Sequence, residues 1–223
     1  LLFLARGFHQ DAYSEFRNRI FETIDPQDLT SLRTLYQREY QQLSFSKDRQ
    51  EHILNAILIK SYMKAIDETV TLTSEEERVL HDYLFSVEIW GLYELSFFSS
   101  CSPLLSVQLS TKYTREMLRK SDFLQGVGKN RNMMHTLLLN GFMACIEAGD
   151  FTNALYFKKQ IEKNFFEENE TYFRIVYLWA EGLLDSKQGR AEEGQRKMED
   201  AVRIFEMIGC SKSADYYRNA IEC

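Results

Sequence analysis

Four histidines and four cysteines are the side chains here best suited to hold a metal or attack a substrate, and their spacing argues against both. His9, His52, His81 and His135 stand 43, 29 and 54 residues apart, and Cys101, Cys145, Cys210 and Cys223 stand 44, 65 and 13 apart. A zinc site usually draws two ligands from one short stretch, and neither a CxxC nor a histidine pair occurs. No metal is therefore expected, and no disulfide framework. Free thiols fit a reduced, cytoplasmic protein. Cys210 or Cys223 could form a disulfide between subunits under oxidation, with inert thiols as the plainer reading. Catalytic motifs are missing as well: there is no HExxH and no GxSxG. Gly128-Lys129-Asn130 lacks the first glycine and the hydroxyl of a phosphate loop. Gly126-Val127-Gly128 has Arg131 where a dinucleotide fingerprint needs its third glycine. No acid, base or nucleophile converges, so no enzyme and no cofactor is expected.

The charge pattern narrows the field further. Across 223 residues, 27 basic and 33 acidic side chains leave a net charge of −6 with no basic stripe. Such a surface does not neutralise phosphates or release counterions, so this segment alone should not bind DNA or RNA. The most apolar window, residues 79–98, carries His81, Asp82, Glu88 and Glu94. Mid-span charges would cost about 2.5 to 3.5 kcal/mol each in a membrane, so a buried pair of helices is expected there. Asn169-Glu170-Thr171 matches a glycosylation acceptor, an accidental match without a secretion signal. The chain does not begin with Met and reads as a piece of a longer intracellular protein.

What must position any binding residues is a run of helices. Phe8, Ala12, Phe16 and Ile20 space a helix over 8–23. Asp25 should cap the next, to about Leu43, and a third should cover 47–67 with Leu54, Ile57, Leu58, Ala65 and Ile66 on one face. Residues 69–73 alternate like a strand but have nothing to pair with, which makes them a loop. Ser74-Glu75-Glu76-Glu77 reads as a capping box opening the helix that carries Trp90, with Gly91 inside it. Pro26 and Pro103 fit first helical positions, Ser102-Pro103 starting a helix to about Asp122. Residues 126–132 read as a turn. Helices over 130–148, 151–166, 170–187, 190–208 and 212–222 complete one continuous domain.

Gly149 and Gly189 interrupt this run 40 residues apart. Aligning them sets Ala154 on Gly194, Ile161 on Ala201 and Phe165 on Phe205, so a small residue follows each turn glycine by five, where antiparallel helices cross closely. The fold class is all-α: stacked helical hairpins forming a right-handed superhelix, similar to divergent tetratricopeptide repeats.

DYLFSVEIWGLYE (82–94), Asn140, YLWAEGLLDSKQG (177–189) and KMEDAVRIFEMIG (197–209) together resemble the C-terminal domain of the Rgg/GadR/MutR transcriptional regulators, from about residue 10 to the end. Asp82 to Phe85, Glu88, Trp90-Gly91 and Tyr93-Glu94 are the distinctive part. The resemblance implies a missing N-terminal helix-turn-helix domain, a homodimer, and a repeat domain that receives a short, mostly apolar signalling peptide in quorum sensing. Promoter DNA would be met only through the missing domain.

Under that resemblance, Asn140 is the leading contact. It interrupts the apolar LLLNGFM, where a buried unpaired amide would cost about 1 to 3 kcal/mol. Its partner would be the peptide backbone or, alternatively, a neighbouring helix. Phe97, Phe98, Met143 and Trp179 would line the groove or pack as core. Glu94 and Arg131 would bond peptide backbone or termini, or pair on the surface. His81 and His135 lie on apolar helices and could titrate near neutral pH, His135 also standing among the peptide contacts. Ile204, Phe205, Ile208, Tyr216, Tyr217 and Ile221 would form an outer apolar face for the dimer. The rival class is a constitutive protein-interaction scaffold without a small ligand.

Overall fold

The computed structural model describes residue 20 and residues 28–45, 48–120, 128–164 and 168–222. Apart from Ile20, the helix expected over 8–23 lies outside them, as do Asp25, Pro26, Phe165 and Cys223. Among the described residues the structure is all-helical, as the periodicity predicts, and divides into two compact units, Leu1–Met133 and Met134–Cys223.

In the first unit, α1 (Leu29–Gln42) is capped by Asp28, whose carboxylate accepts from the Thr30 N–H at 3.0 Å and from the Ser31 hydroxyl. The central helix α2 (Arg49–Ile66) buries Ile53, Leu54, Ala56, Ile57, Leu58 and Ile59, more than one face of a helix can supply, so it is surrounded. Ala65 and Ile66, expected on its buried face, are exposed instead, because the helix has run past the core by then.

Helix α3 (Ser74–Ser86) starts with a capping box, but one residue earlier than Ser74. Thr73 accepts from the Glu76 N–H at 3.3 Å and Glu76 accepts from the Thr73 N–H at 2.7 Å. The register is set by tertiary chemistry. The Glu76 carboxylate is fully buried, 2.6 Å from the Lys60 ammonium and 2.9 Å from the Tyr36 hydroxyl that donates to it. Lys60 also donates to the Thr71 carbonyl at 2.8 Å, tying down the 69–73 loop. Burial alone would raise the Glu76 carboxyl, but the Lys60, Thr73 and Tyr36 contacts outweigh it and hold the group below its ordinary value.

Trp90 and Gly91 are not inside α3. The helix stops at Ser86, and Gly91 is the N-cap of α4 (Leu92–Cys101). Trp90, with no exposed surface, fills the core from the connecting segment. Ser102-Pro103 opens only a 3₁₀ turn, Ser102–Leu104, and α5 (Val107–Lys120) starts afresh after Ser106. Helix α6 (Gly128–Glu147) begins inside the stretch expected to be a turn, so Asn130 to Asn132 are helical.

The second unit is more regular. It contains most of α6, then α7 (Phe151–Asn164), α8 (Thr171–Lys187), α9 (Ala191–Met207) and α10 (Ser211–Glu222), within two residues of the expected boundaries. Gly149, Gly189 and Gly209 all have left-handed φ, 70°, 88° and 77°. Each is followed by a residue whose N–H reaches back to a carbonyl five before it: Asp150 to Cys145 at 2.8 Å, Arg190 to Asp185 at 2.9 Å, Cys210 to Phe205 at 2.8 Å. These are Schellman closures, which satisfy the last carbonyls of a helix. The third, at Gly209, extends the sequence repeat, for Ala214 follows it by five and is buried like Ala154 and Gly194. Where α8 crosses α9, a Cβ on Gly182 would lie 2.6 Å from the Gly194 carbonyl oxygen, so both positions need glycine.

Candidate functional site

The residues expected to bind peptide fall in different units. In the first, Phe97 and Phe98 are 1% and 0% exposed. Phe97 meets the Tyr83 ring edge-on at 5.4 Å, and Phe98 meets Trp90 at 5.5 Å and Tyr113 at 6.2 Å. Their burial supports core packing rather than a groove lining. Glu94 is half-buried and accepts from the Gly91 N–H at 2.9 Å, which fixes the start of α4. Arg131 is half-buried and already engaged with its surroundings. His81 is half-buried, its Nδ1 2.5 Å from the Tyr113 hydroxyl.

In the second unit, Trp179 is 4% exposed with its ring 5.3 Å from Tyr217, which stacks on Phe205 at 5.6 Å. A residue expected to touch peptide thus shares one aromatic cluster with two expected on the dimer face. Phe205 and Tyr217 point inward to close α8, α9 and α10 together, which corrects their placement on an outer face. Ile208 and Tyr216 are exposed as expected, Ile204 and Ile221 are half-buried, and Met207 joins the exposed set at 80%. Met207 was visible in the sequence: apolar residues at 204, 205, 207 and 208 exceed what one buried helix face can absorb.

His135 is buried, its Nε2 2.9 Å from a Glu170 carboxylate oxygen that is itself buried, and its ring lies 5.2 Å from Phe173. The pair ties α6 to the start of α8. Asn140 sits differently. It is exposed, and its amide makes no hydrogen bond within the described residues. The expectation that it must be buried and paired is overturned by helix geometry, since Leu137, Leu138, Leu139 and Phe142 take the inner face of α6. Thr136, Asn140, Met143 and Ala144, spaced by three and four, share the outer face, with Met143 half-buried beside the amide. This is an amide donor and acceptor at the centre of a partly apolar helix surface.

Among the described residues no group of three potential metal ligands comes together, and no helix is long and apolar enough to cross a membrane. Cys101 and Cys145 are buried, and burial pushes the Cys101 thiol far up, away from reactivity. Cys210 is half-buried and free.

Residues 34–219 match the sequence pattern of the C-terminal domain of the HTH-type transcriptional regulator Rgg. Among solved structures, the SHP pheromone receptor Rgg2 of Streptococcus dysgalactiae aligns with a TM-score of 0.75 at 25% identity, over 94% of this chain and 73% of that one. A cysteine-to-serine variant of that receptor aligns with the same score and identity over 94% and 72%. A Listeria monocytogenes EGD-e protein, 16% identical, shares the fold with a TM-score of 0.72 over 94% and 71%.

Proposed function

The chain belongs to the family of C-terminal domains of the HTH-type transcriptional regulator Rgg, and from that premise we propose that it is the sensing and dimerising part of a cytoplasmic quorum-sensing regulator, responsive to a short, mostly apolar signalling peptide. The family is one of transcriptional regulators and not of enzymes. A structural relative described as a pheromone receptor supports the ligand class.

The observation that carries the reading is Asn140. An amide offers one donor pair and one acceptor, the complement of a peptide unit, and here both are open on α6 beside the apolar Met143. A peptide laid along that face gains backbone pairing from Asn140 and apolar burial from its neighbours. For this to become a signal the peptide must bind two arrangements of the protein unequally, and the difference is what reaches a DNA-binding domain N-terminal to this segment. DNA recognition belongs to that domain, because this segment carries a net charge of −6. Met207, Ile208 and Tyr216 present an exposed apolar edge suited to a second copy of the chain.

Calorimetry with a synthetic apolar octapeptide tests the reading. Asn140→Ala should weaken binding tenfold or more, as a buried peptide group left unpaired costs about 1 to 3 kcal/mol. Equal affinities for wild type and variant would remove Asn140 from the site. Light scattering should find a dimer that Met207→Glu with Ile208→Glu dissociates, and a monomer at all concentrations would remove the dimer.

A further inference from the structure

A cavity of about 420 Å³ opens in the first unit between the start of α2, the end of α3 and the start of α4. Tyr83 and Tyr93, their rings edge to face at 6.4 Å, form an aromatic wall, and Leu54, Val87 and Ile89 form an apolar one. Among the described residues every charged side chain in the lining is acidic: Asp48, Glu51, Glu88 and Glu94. Two of the neighbouring basic groups are engaged with other carboxylates, and a third is held on a backbone carbonyl of the wall. Arg49 pairs with Glu75 at 2.6 Å, Arg78 with Asp82 at 3.7 Å, and the Lys120 ammonium donates to the Val87 carbonyl at 2.7 Å. Glu51 and Glu88 make no ion pair among the described residues. Like charges around one cavity repel, and a cation entering it relieves that repulsion. The Tyr93 phenol reports the same field: burial first, opposed by its bond with Tyr83 and reinforced by Glu94 and Glu51, holds it up at about 12.

We propose that this cavity docks an arginine side chain of a partner polypeptide, with the guanidinium between the tyrosine rings and the carboxylates. Arginine suits it better than lysine. Its planar group stacks on aromatic faces, matches carboxylates two bonds at a time, and sheds water more readily. A polypeptide suits it better than a small free cation because the rim is apolar. Ile89 is 47% exposed, and Phe85, next in the chain to the cavity's Ser86, is 78% exposed, offering seats for apolar residues beside the arginine. The site uses no residue of the Asn140 face, and of the residues expected to touch the signalling peptide its lining includes only Glu94.

The test is calorimetry on the full chain with three probes: acetyl-Leu-Arg-Phe-amide, the same tripeptide with neutral citrulline for arginine, and agmatine. The arginine peptide should bind at least tenfold more tightly than the citrulline peptide and than agmatine, and raised salt should narrow its advantage over citrulline. The double variant Glu51→Gln, Glu88→Gln changes two exposed side chains and should abolish that advantage. Equal binding of the arginine and citrulline peptides, no binding of either, or an undiminished preference in the double variant overturns the proposal. Agmatine binding as tightly as the peptide would make this a small-cation pocket and overturn the polypeptide assignment. Failure here leaves the octapeptide result untouched, since that result turns on Asn140.

Discussion

The two units join their helices by different means. In the first, three elements meet at a buried charge: Tyr36 from α1, Lys60 from α2 and Glu76 from α3, with the Thr73 cap attached to the same carboxylate. In the second, the α8–α9 crossing is set by backbone approach, Gly182 against Gly194, with Lys197 of α9 also reaching Asp185 of α8 at 2.6 Å, and the helices turn on left-handed glycines with open space around them. The contrast teaches that a repeat can set its helix crossing by backbone approach and add polar pairs such as Lys197–Asp185 and His135–Glu170 around it, whereas the irregular packing of the first unit sets its register with one buried polar cluster. A buried ion pair is weak evidence for net stability, yet strong evidence for what a single truncation would do.

The sharpest way to break this comparison is Glu76→Ala, which leaves the Lys60 ammonium buried without its counter-ion and should cost about 3 to 5 kcal/mol in urea unfolding. A cost under about 1 kcal/mol would show the network to be incidental. Gly194→Val should come next, at about 3 kcal/mol, because a side chain there strikes the Gly182 carbonyl and Ser186. Acid should reproduce part of the Glu76 effect. Its folded-state pKa is depressed, as is that of Asp185, where Lys197 at 2.6 Å and Arg190 outweigh burial. Stability from both is therefore complete above the ordinary carboxylate range of about 3.9 to 4.3 and drains away as pH falls through the lower folded values. Unfolding midpoints between about pH 5 and pH 3 should fall less steeply in Glu76→Gln than in wild type, and parallel slopes would contradict the assignment. Gly189→Ala should cost only about 1 kcal/mol, the left-handed backbone being the sole penalty where nothing crowds the new methyl. At the small end, Asn140→Ala should shift stability by less than about 0.5 kcal/mol in a thermal melt. A larger loss would move Asn140 from the surface into the structural framework.

The expected family resemblance and helical fold are both borne out, and the ease of reading them differed between the units for the same physical reason. Glycine after a helix, small residues five later and apolar residues at 3.6 spacing are local signals, so α7 to α10 were placed within two residues of their observed bounds. The expectations of no metal site and no nucleic-acid surface within this segment rest on ligand spacing and charge, which can be read from the sequence alone. Other choices belonged to the tertiary structure. The capping box slid from Ser74 to Thr73 because Lys60 and Tyr36 hold Glu76, partners 16 and 40 residues away in sequence. Trp90 lies between helices and not within one because the core needed its ring there. Phe205 and Tyr217 turned inward where Met207 did not, a choice made by the neighbouring helix and not by spacing. Asn140 faces water because its leucine neighbours have the stronger claim on the interior, a competition settled only when helix α6 is set against its unit.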